Sequence, residues 1–281
     1  MGEDVRSRVG RFGVWYRGTP PVELAQALER LGWGTLWLGG SPAGDLRAVE
    51  ELLDATTSLT LATGIVNIWA SEVHEVAGAA TRVLERHPGR FVLGVGVGHR
   101  EATASYRSPF ESLSAYVDTL LGGGVPRDSL VLAALGPRVL RLAAERTAGA
   151  HPYLVTPEHT ALARRTLGPQ PLLAPEHKVV LDPDPERARA LGRPAVATPY
   201  LGLSNYTNNL RRLGWSDADL ADGGSDALID ALVAHGTAEQ VAARLQQHLD
   251  AGADHVAVHL LTREDEDAVA TFTALAGALP G

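Results

Sequence analysis

A run of alternating glycines followed by a histidine is the first feature of the sequence that could do chemistry. Gly94, Gly96 and Gly98 punctuate an apolar segment, and His99 comes next. A dinucleotide-binding fingerprint needs G-x-G-x-x-G at a strand-to-helix turn, and its third glycine would fall here on His99. Alternate residues of a strand point to the same face, so these glycines predict a strand with one bare face. Either bulky neighbours or a flat ligand could occupy that space.

His99 is the candidate for acid–base chemistry. It follows the expected strand end, and polar or amphipathic residues continue the loop. An unperturbed imidazole titrates at about pH 6.5, so it can accept or donate a proton near neutrality. We therefore expect His99 to be a catalytic proton relay, with a hydrogen bond to a loop or a ligand as its alternative role.

Two further segments have ligand-site features at expected strand ends. The stretch LATGIVNIWAS carries Gly64 in mid-run and a polar Asn67, which indicates either a bulge near a ligand or a simple bend. In LAALGPRVL, the small residues Ala133 and Ala134 precede Gly136, where a helix is expected to begin. Free N–H groups at a helix start can hold a phosphate.

Aromatic and histidine side chains near strand ends are candidates for a substrate pocket. Trp15, Trp37 and Trp69 lie at or near the ends of the first three expected strands, where core packing is the alternative role. The other candidates are His151, His259 and Tyr206, the last in a long segment that could cover the pocket.

Eight apolar runs alternate with amphipathic helical segments along the chain. Strands are expected at 11–16, 35–39, 59–69, 91–98, 129–135, 152–155, 178–181 and 255–261. This alternation predicts a (β/α)8 TIM barrel within a single domain, 1–281, with a doubly wound open sheet as the alternative. The segment at about 199–236 is too long for a plain crossover, and we expect it to be an insertion between the seventh and eighth strands.

Composition excludes several classes of partner and site. The balance of 25 basic and 33 acidic residues, a formal charge of −8, argues against nucleic acid or an anionic membrane surface. The absence of cysteine excludes disulfides and thiolate chemistry. Glu72, His74 and Glu75 do not converge well on one ion, so no metal site is expected. No apolar run suggests a signal or a membrane span, and a cytoplasmic protein is the expectation.

Several stretches together resemble the luciferase-like flavin and deazaflavin oxidoreductases, which are (β/α)8 barrels. The resemblance rests on LATGIVN, FVLGVGVGH, LAALGPRVLRLAAERTAGAHPYLV and GTAEQVAARLQQHLDAGADHVAVHLL. The stretches LAPEHKVVLDPDPERAR and GLSNYTNN resemble a subgroup usually assigned to the deazaflavin coenzyme F420.

The resemblance implies roles for residues at three strand ends. A cis peptide backing the cofactor ring would fall at Gly64–Ile65, with Val66 and Asn67 nearby. The same ring would be lined by Gly96, Gly98 and His99. The cofactor phosphate would lie at Ala133, Ala134 and Gly136.

The sequence departs from the family pattern at two positions where proton donors are expected. Many deazaflavin-dependent members have an acidic residue followed by histidine at the end of the second strand, where this chain has Gly39, Gly40 and Ser41. Many also have a glutamate after the fourth-strand glycines, where this chain has His99.

The function implied is hydride transfer between coenzyme F420 and a small organic substrate with a C=C, C=N or C=O bond. One alternative is an FMN-dependent monooxygenase that uses oxygen and reduced flavin from a separate reductase. Others are a non-redox enzyme on the same barrel and a non-catalytic flavin-binding protein. A homodimer is expected by analogy with the family.

Overall fold

The computed structural model describes residues 4–98, 108–263 and 266–280. Its strands are β1 (Phe12–Arg17), β2 (Thr35–Gly39), β3 (Thr60–Gly64), β4 (Val66–Asn67), β5 (Phe91–Gly96), β6 (Leu130–Leu132), β7 (Gly149–Ala150), β8 (Leu172–Leu173), β9 (Glu176–Val180), β10 (Val233–His235) and β11 (Val256–Leu260).

Helices alternate with these strands along most of the chain. They are α1 (Val5–Val9), α2 (Val22–Arg30), α3 (Arg47–Asp54), α4 (Val73–Arg86), α5 (Pro109–Gly122), α6 (Pro137–Arg146), α7 (Pro157–Leu167), α8 (Pro185–Ala197), α9 (Ser204–Arg212), α10 (Asp217–Leu220), α11 (Asp226–Leu232), α12 (Ala238–Asp250) and α13 (Ala268–Ala278). Short 3-10 turns lie at Arg127–Ser129 and Tyr200–Gly202.

The strands form one parallel sheet, as the alternation of strands and helices predicted. Its order is β10-β9-β11-β1-β2-β3-β5-β6-β7-β8, and β4 continues β3 along the edge of β5. Parallel strands covered by helices are buried on both faces, which is why β2 and β5 are apolar runs with every residue buried.

The two sides of the sheet meet at the segment that contains β8 and β9, which only Ala174 and Pro175 separate. On one side, the N–H of Ala174 donates to the carbonyl of Ala150 at 2.9 Å. On the other, the N–H of Ala257 donates to the carbonyl of Pro175 at 2.9 Å. The sheet is therefore curled, and its interior is filled by one set of side chains. This inner cluster consists of Val5, Val9, Trp15, Trp37, Ala62, Val92, Val131, Leu172, Ala174 and Ala257.

The structure corrects three of the expected elements. The sixth strand lies at Gly149–Ala150 and not at 152–155, and the segment at about 199–236, expected to be an insertion, contains the strand β10 near its end. The third strand is interrupted at Ile65, and β8 was not expected. These strands have two or three residues each, so their pairing with distant strands defines them and their own periodicity does not.

Among the described residues, no helix combines the length and the apolar character needed to cross a membrane.

Gly94 is required by the close approach of two strands. A Cβ on Gly94 would lie 2.0 Å from the carbonyl oxygen of Thr63, which belongs to the backbone of β3 and cannot move aside cheaply. We predict that Gly94→Ala lowers the free energy of unfolding by about 1 to 3 kcal/mol. Gly78→Ala is the control, since Gly78 is exposed in α4 with nothing within 4 Å of an added Cβ. It should raise stability by about 0.5 to 1 kcal/mol.

Chemical denaturation of both variants measures the difference. Equal stability of Gly94→Ala and the wild-type protein would contradict the close packing of β3 against β5.

Candidate active site

A cavity of about 440 Å³ lies where the parallel strands end. Residues at the C-terminal ends of β1, β2, β3, β5, β6 and β7 line it. This is the edge of the sheet at which parallel α/β folds bind their ligands. Its lining residues are Trp15, Arg17, Gly40, Ser41, Gly64, Ile65, Val97, Gly98, Ala133, Ala134, Leu135, Gly136, Val139, His151, Tyr153, Pro199, Tyr200, Asn205 and Tyr206.

Many of the residues proposed from the sequence come together in this cavity. From the cofactor set it is lined by Gly64, Ile65, Gly98, Ala133, Ala134 and Gly136, and from the pocket set by Trp15, His151 and Tyr206. These residues belong to five different strand ends and to the segment after β9, so the fold brings them together although they are distant in sequence.

The other cofactor candidates lie behind this lining. A Cβ on Gly96 would be 2.8 Å from Cβ of Ala133 and 3.1 Å from Cδ1 of Ile65, so Gly96 makes room for both of these wall residues. The amide of Asn67 lies against Gly98, where an added Cβ would be 2.6 Å from Nδ2. Val66 is fully buried in the core between the sheet and the helices.

The peptide bond between Gly64 and Ile65 is cis, at the position that the resemblance implied. The carbonyl of Gly64 accepts a hydrogen bond from Nε1 of Trp15 at 3.2 Å. Ile65 presents its side chain to the cavity.

Three pocket candidates lie outside the lining. Trp37 is fully buried one layer below and stacks on His151, with ring centroids 4.1 Å apart and planes at 7°. Trp69 packs against the outer core, and His259 is buried beside Trp15 at a centroid distance of 4.2 Å. His99, the predicted proton relay, lies outside the described residues.

His151 offers a hydrogen-bond acceptor at the cavity floor. Burial lowers its pKa to about 4, so the ring is neutral at pH 7. Its Nδ1 lies 2.7 Å from the carbonyl of Ala174 and must carry the proton. That leaves a lone pair on Nε2, which has no hydrogen-bond partner within the described part of the chain. A Cβ on Gly64 would lie 3.1 Å from this nitrogen.

Beside His151 lies a buried charged cluster that sequence reasoning missed. Nζ of Lys178 donates to Oε1 of Glu176 at 2.9 Å and to the hydroxyl of Tyr153 at 2.9 Å. Oε1 of Glu176 also accepts from Nδ1 of His259 at 2.9 Å, and its Oε2 accepts from the N–H of Leu154 at 3.0 Å. The available signal was the motif EHKVV, in which two charged residues alternate at the start of a strand whose five residues are all buried.

The charged groups of this cluster stabilise each other's ionised forms. Burial opposes the ionised form of Glu176, but the Lys178 ammonium and the hydrogen bond from His259 hold the pKa of this carboxyl well below its usual range. Burial lowers the pKa of Lys178, and the Glu176 carboxylate offsets part of that effect. The exposed fractions of the two side chains are 0% for Glu176 and 1% for Lys178, so water does not screen the pair.

The cavity lining also includes Tyr200, which was not predicted. The hydroxyl of Tyr200 lies 3.2 Å from that of Tyr153, and its ring packs edge-on against Tyr206. Gly40 and Ser41 follow β2 and line the cavity, where the resemblance implied an acidic residue followed by histidine.

The start of α6 forms another part of the wall. Gly136 caps this ten-residue helix, Pro137 is its first residue, and a Cβ on Gly136 would meet nothing within 4 Å. Backbone N–H groups at a helix N-terminus attract anions, so this wall suits a phosphate.

Within residues 4–98, 108–263 and 266–280, no group of three or more acidic or histidine side chains could hold a metal ion. The side chain of Glu72 instead caps a helix. Its Oε2 accepts from the N–H groups of His74 at 2.8 Å and Glu75 at 3.1 Å, and so caps α4.

Comparison with known proteins identifies solved structures that have the same fold as this chain. No protein-family model matches the sequence, and no curated protein matches it. Solved structures do. An F420-dependent secondary alcohol dehydrogenase in complex with an F420-acetone adduct has a TM-score of 0.76 at 14% identity, over 96% of this chain and 99% of the other.

Two further structures represent the two cofactors. The coenzyme F420 dependent tetrahydromethanopterin reductase from Methanopyrus kandleri has a TM-score of 0.68 at 14% identity, over 96% of this chain and 98% of the other. The oxygenating constituent of 3,6-diketocamphane monooxygenase from Pseudomonas putida, in complex with FMN, has a TM-score of 0.67 at 13% identity, over 95% and 96%. The chain shares the fold of these oxidoreductases.

Removing the buried carboxylate should be costly. Glu176→Gln leaves the Lys178 ammonium without its counter-charge, and we predict a loss of about 3 kcal/mol or more in the free energy of unfolding. Asp118→Asn is the matched control, because Asp118 pairs with Arg146 at the surface, where the side chains are 52% and 40% exposed. Its effect should stay within about 0.5 kcal/mol. Urea denaturation compares the two, and similar losses would contradict a buried ion pair.

Stability should depend on pH through the buried histidines. Burial lowers the pKa of four of them from 6.5 to about 4: His151, His177, His255 and His259. Between these values the unfolded chain binds more protons than the folded chain, so stability falls as the pH drops from about 6.5 to about 4. Each ring contributes up to roughly 3 kcal/mol. Denaturation at pH 7.0, 5.5 and 4.5 measures the trend, and a pH-independent stability would contradict it.

Proposed function

We propose that the chain is a luciferase-like oxidoreductase that transfers a hydride between coenzyme F420 and a small organic substrate. The observation that carries this proposal is the cavity wall built from Gly64, Ile65, Gly98, Ala133 and Gly136. Small residues and backbone from three strand ends leave space at this wall, and Trp15, His151 and Tyr153 line the same cavity. The shared fold with two F420-dependent enzymes supports this cofactor class.

We infer that the curled sheet corresponds to a (β/α)8 barrel. In this assignment β3 and β4 together form the third barrel strand, β8 and β9 form the seventh, and β11 is the eighth. The hydrogen bonds of Ala174 to Ala150 and of Ala257 to Pro175 support closure at the seventh strand. Residues 199–236 would then be an insertion before the eighth strand, and they bring Tyr200 and Tyr206 to the cavity.

The residues present fit a deazaflavin. Gly64 lies against His151 Nε2, a buried acceptor with no partner in the described ranges, which would accept a hydrogen bond from an N–H of the ring. The start of α6 at Gly136 would hold the phosphate. The volume of about 440 Å³ is within the usual range for small-molecule sites. When bound, the reduced cofactor supplies the hydride.

The second candidate is an FMN-dependent monooxygenase, because a structure with the same fold is a complex with FMN. The same wall would receive that ring, and a separate reductase would then be a partner. In either case we propose a homodimer as the assembly, and His99 as a candidate proton relay between the solvent and the group that donates to the substrate.

Cofactor preference and the site are tested together by equilibrium binding. We predict that the purified protein binds coenzyme F420 more tightly than FMN, as measured by fluorescence titration. Ala133→Leu should weaken binding at least tenfold, because the larger side chain fills the cavity. Ala115→Leu makes the same change on an exposed position of α5 and should bind as the wild-type protein does.

Tighter binding of FMN would favour the monooxygenase. Failure of both cofactors to bind would remove the redox function, and unchanged binding by Ala133→Leu would place the cofactor elsewhere.

A further inference from the structure

Tyr153 connects the cavity to the buried charges. Its ring lines the cavity, while its oxygen accepts a hydrogen bond from Nζ of Lys178, which is 1% exposed. An ammonium group has donors and no acceptor, so the direction of this bond is fixed. Lys178 is in turn fixed by Glu176 at 2.9 Å. The phenol oxygen therefore lies against a positive charge that cannot move away.

The neighbouring tyrosine fixes where the phenolic hydrogen can point. Tyr200 donates to the oxygen of Tyr153 at 3.2 Å. Arg17, whose guanidinium can only donate, makes a hydrogen bond to Tyr200 on its other side. Since Tyr153 already accepts from Lys178 and Tyr200, its own hydrogen is left for a group inside the cavity.

The charged and titratable groups around Tyr153 come from every element that packs on it. They are Glu176 and Lys178 on β9, His259 on β11, Tyr200 and Tyr206 from the segment after β9, Arg17 at the end of β1, and His151 after β7. Burial, the Glu176 carboxylate and Tyr200 raise the pKa of Tyr153 well above its usual value, so the phenol carries its proton at neutral pH.

We propose that Tyr153 is the proton donor of the reaction and that the substrate is a carbonyl compound, an inference that rests on the proposed function. In the direction of reduction, the carbonyl carbon accepts the hydride from the reduced deazaflavin. The π electron pair of the C=O bond moves to the oxygen, which takes the proton of Tyr153. The phenolate is paired with Lys178 until water returns a proton. The products are an alcohol and the oxidised cofactor, and the reverse sequence oxidises the alcohol.

The geometry favours an oxygen over the other acceptors. Hydride addition to a carbonyl places negative charge on the oxygen, which needs a proton from a polar donor beside the ring. A hydroxyl backed by an ammonium is such a donor. Gly40 and Ser41 lie at the end of β2 beside the cavity, so this strand end supplies no acidic or histidine side chain that could donate instead of Tyr153.

The inference is tested first without the cofactor. With the six tyrosines labelled with ¹³C at Cζ, the signal lost in Tyr153→Phe identifies Tyr153. Cyclohexanone should shift this signal, and methylenecyclohexane, which has the same shape and no oxygen, should not. Tyr153→Phe should weaken cyclohexanone binding about threefold to tenfold and leave methylenecyclohexane binding unchanged.

Single-turnover oxidation of the bound, reduced deazaflavin by cyclohexanone is the second readout. Tyr153→Phe should lower this rate constant about 100-fold or more, while the Kd of the cofactor stays within twofold. Tyr116→Phe is the control, since the hydroxyl of Tyr116 donates to Ser71 and its ring is not part of the cavity lining. The single-turnover rate constant of Tyr200→Phe should fall less than that of Tyr153→Phe.

Three results would overturn the inference: cyclohexanone that binds without shifting the Tyr153 signal, no binding of cyclohexanone at all, or a larger rate loss in Tyr200→Phe. Failure of the proposed function alone has a different signature. In that case neither coenzyme F420 nor FMN binds, while the Tyr153 signal still responds to cyclohexanone.

Discussion

The hydrogen bonds of the Glu176 carboxylate connect the candidate site to the strands of the fold. One of its oxygens accepts from Lys178 and His259, and the other accepts from the backbone N–H of Leu154. The hydrogen bonds join β9, β11 and the segment after β7, so three separate parts of the chain depend on one buried charge. Such a pair costs desolvation energy, and it is kept only where the geometry satisfies both partners. Here the geometry also places an ammonium group behind Tyr153.

Below this cluster the interior of the sheet is layered by residue size. Trp37 fills the layer beneath the cavity, donates from Nε1 to His255 at 2.9 Å and stacks on His151. Above it lie Gly64 and Gly96, which make room for Trp15 and for the wall residues Ala133 and Ile65. The large rings thus form a rigid floor, and the small residues above it form the cavity. Of the polar atoms near this space, Nε2 of His151 lies next to Gly64, and the hydroxyl of Tyr153 lies beside Lys178.

The sequence predicted the elements whose signal is local. The strand expected at 35–39 is β2, because a short apolar run can be recognised from the sequence of that segment alone. The small residues after β6 line the cavity, as their size indicated, whereas of the alternating glycines only Gly98 lines it, because neighbouring residues fill the space at Gly94 and Gly96. The pairings of β7, β8 and β10 could not be found in this way, because two or three residues have no periodicity and are defined by distant partners.

The same reasoning explains which site residues were missed. Tyr153, Lys178 and Glu176 act through contacts between strands that are adjacent only in the folded sheet. In the sequence the strand was expected at 178–181, and the alternation of Glu176 and Lys178 in EHKVV does not tell which face of the strand is buried. Trp69 shows the reverse, since it is near a strand end in sequence but packs on the outer core.

A crystal structure of the protein soaked with coenzyme F420 would show whether this cavity holds the cofactor. We expect density for the ring against Gly64 and Ile65, with His151 on its edge, Tyr153 beside it and the phosphate at Gly136. A ring bound at another surface, or a cavity that holds only solvent at saturating coenzyme, would contradict it.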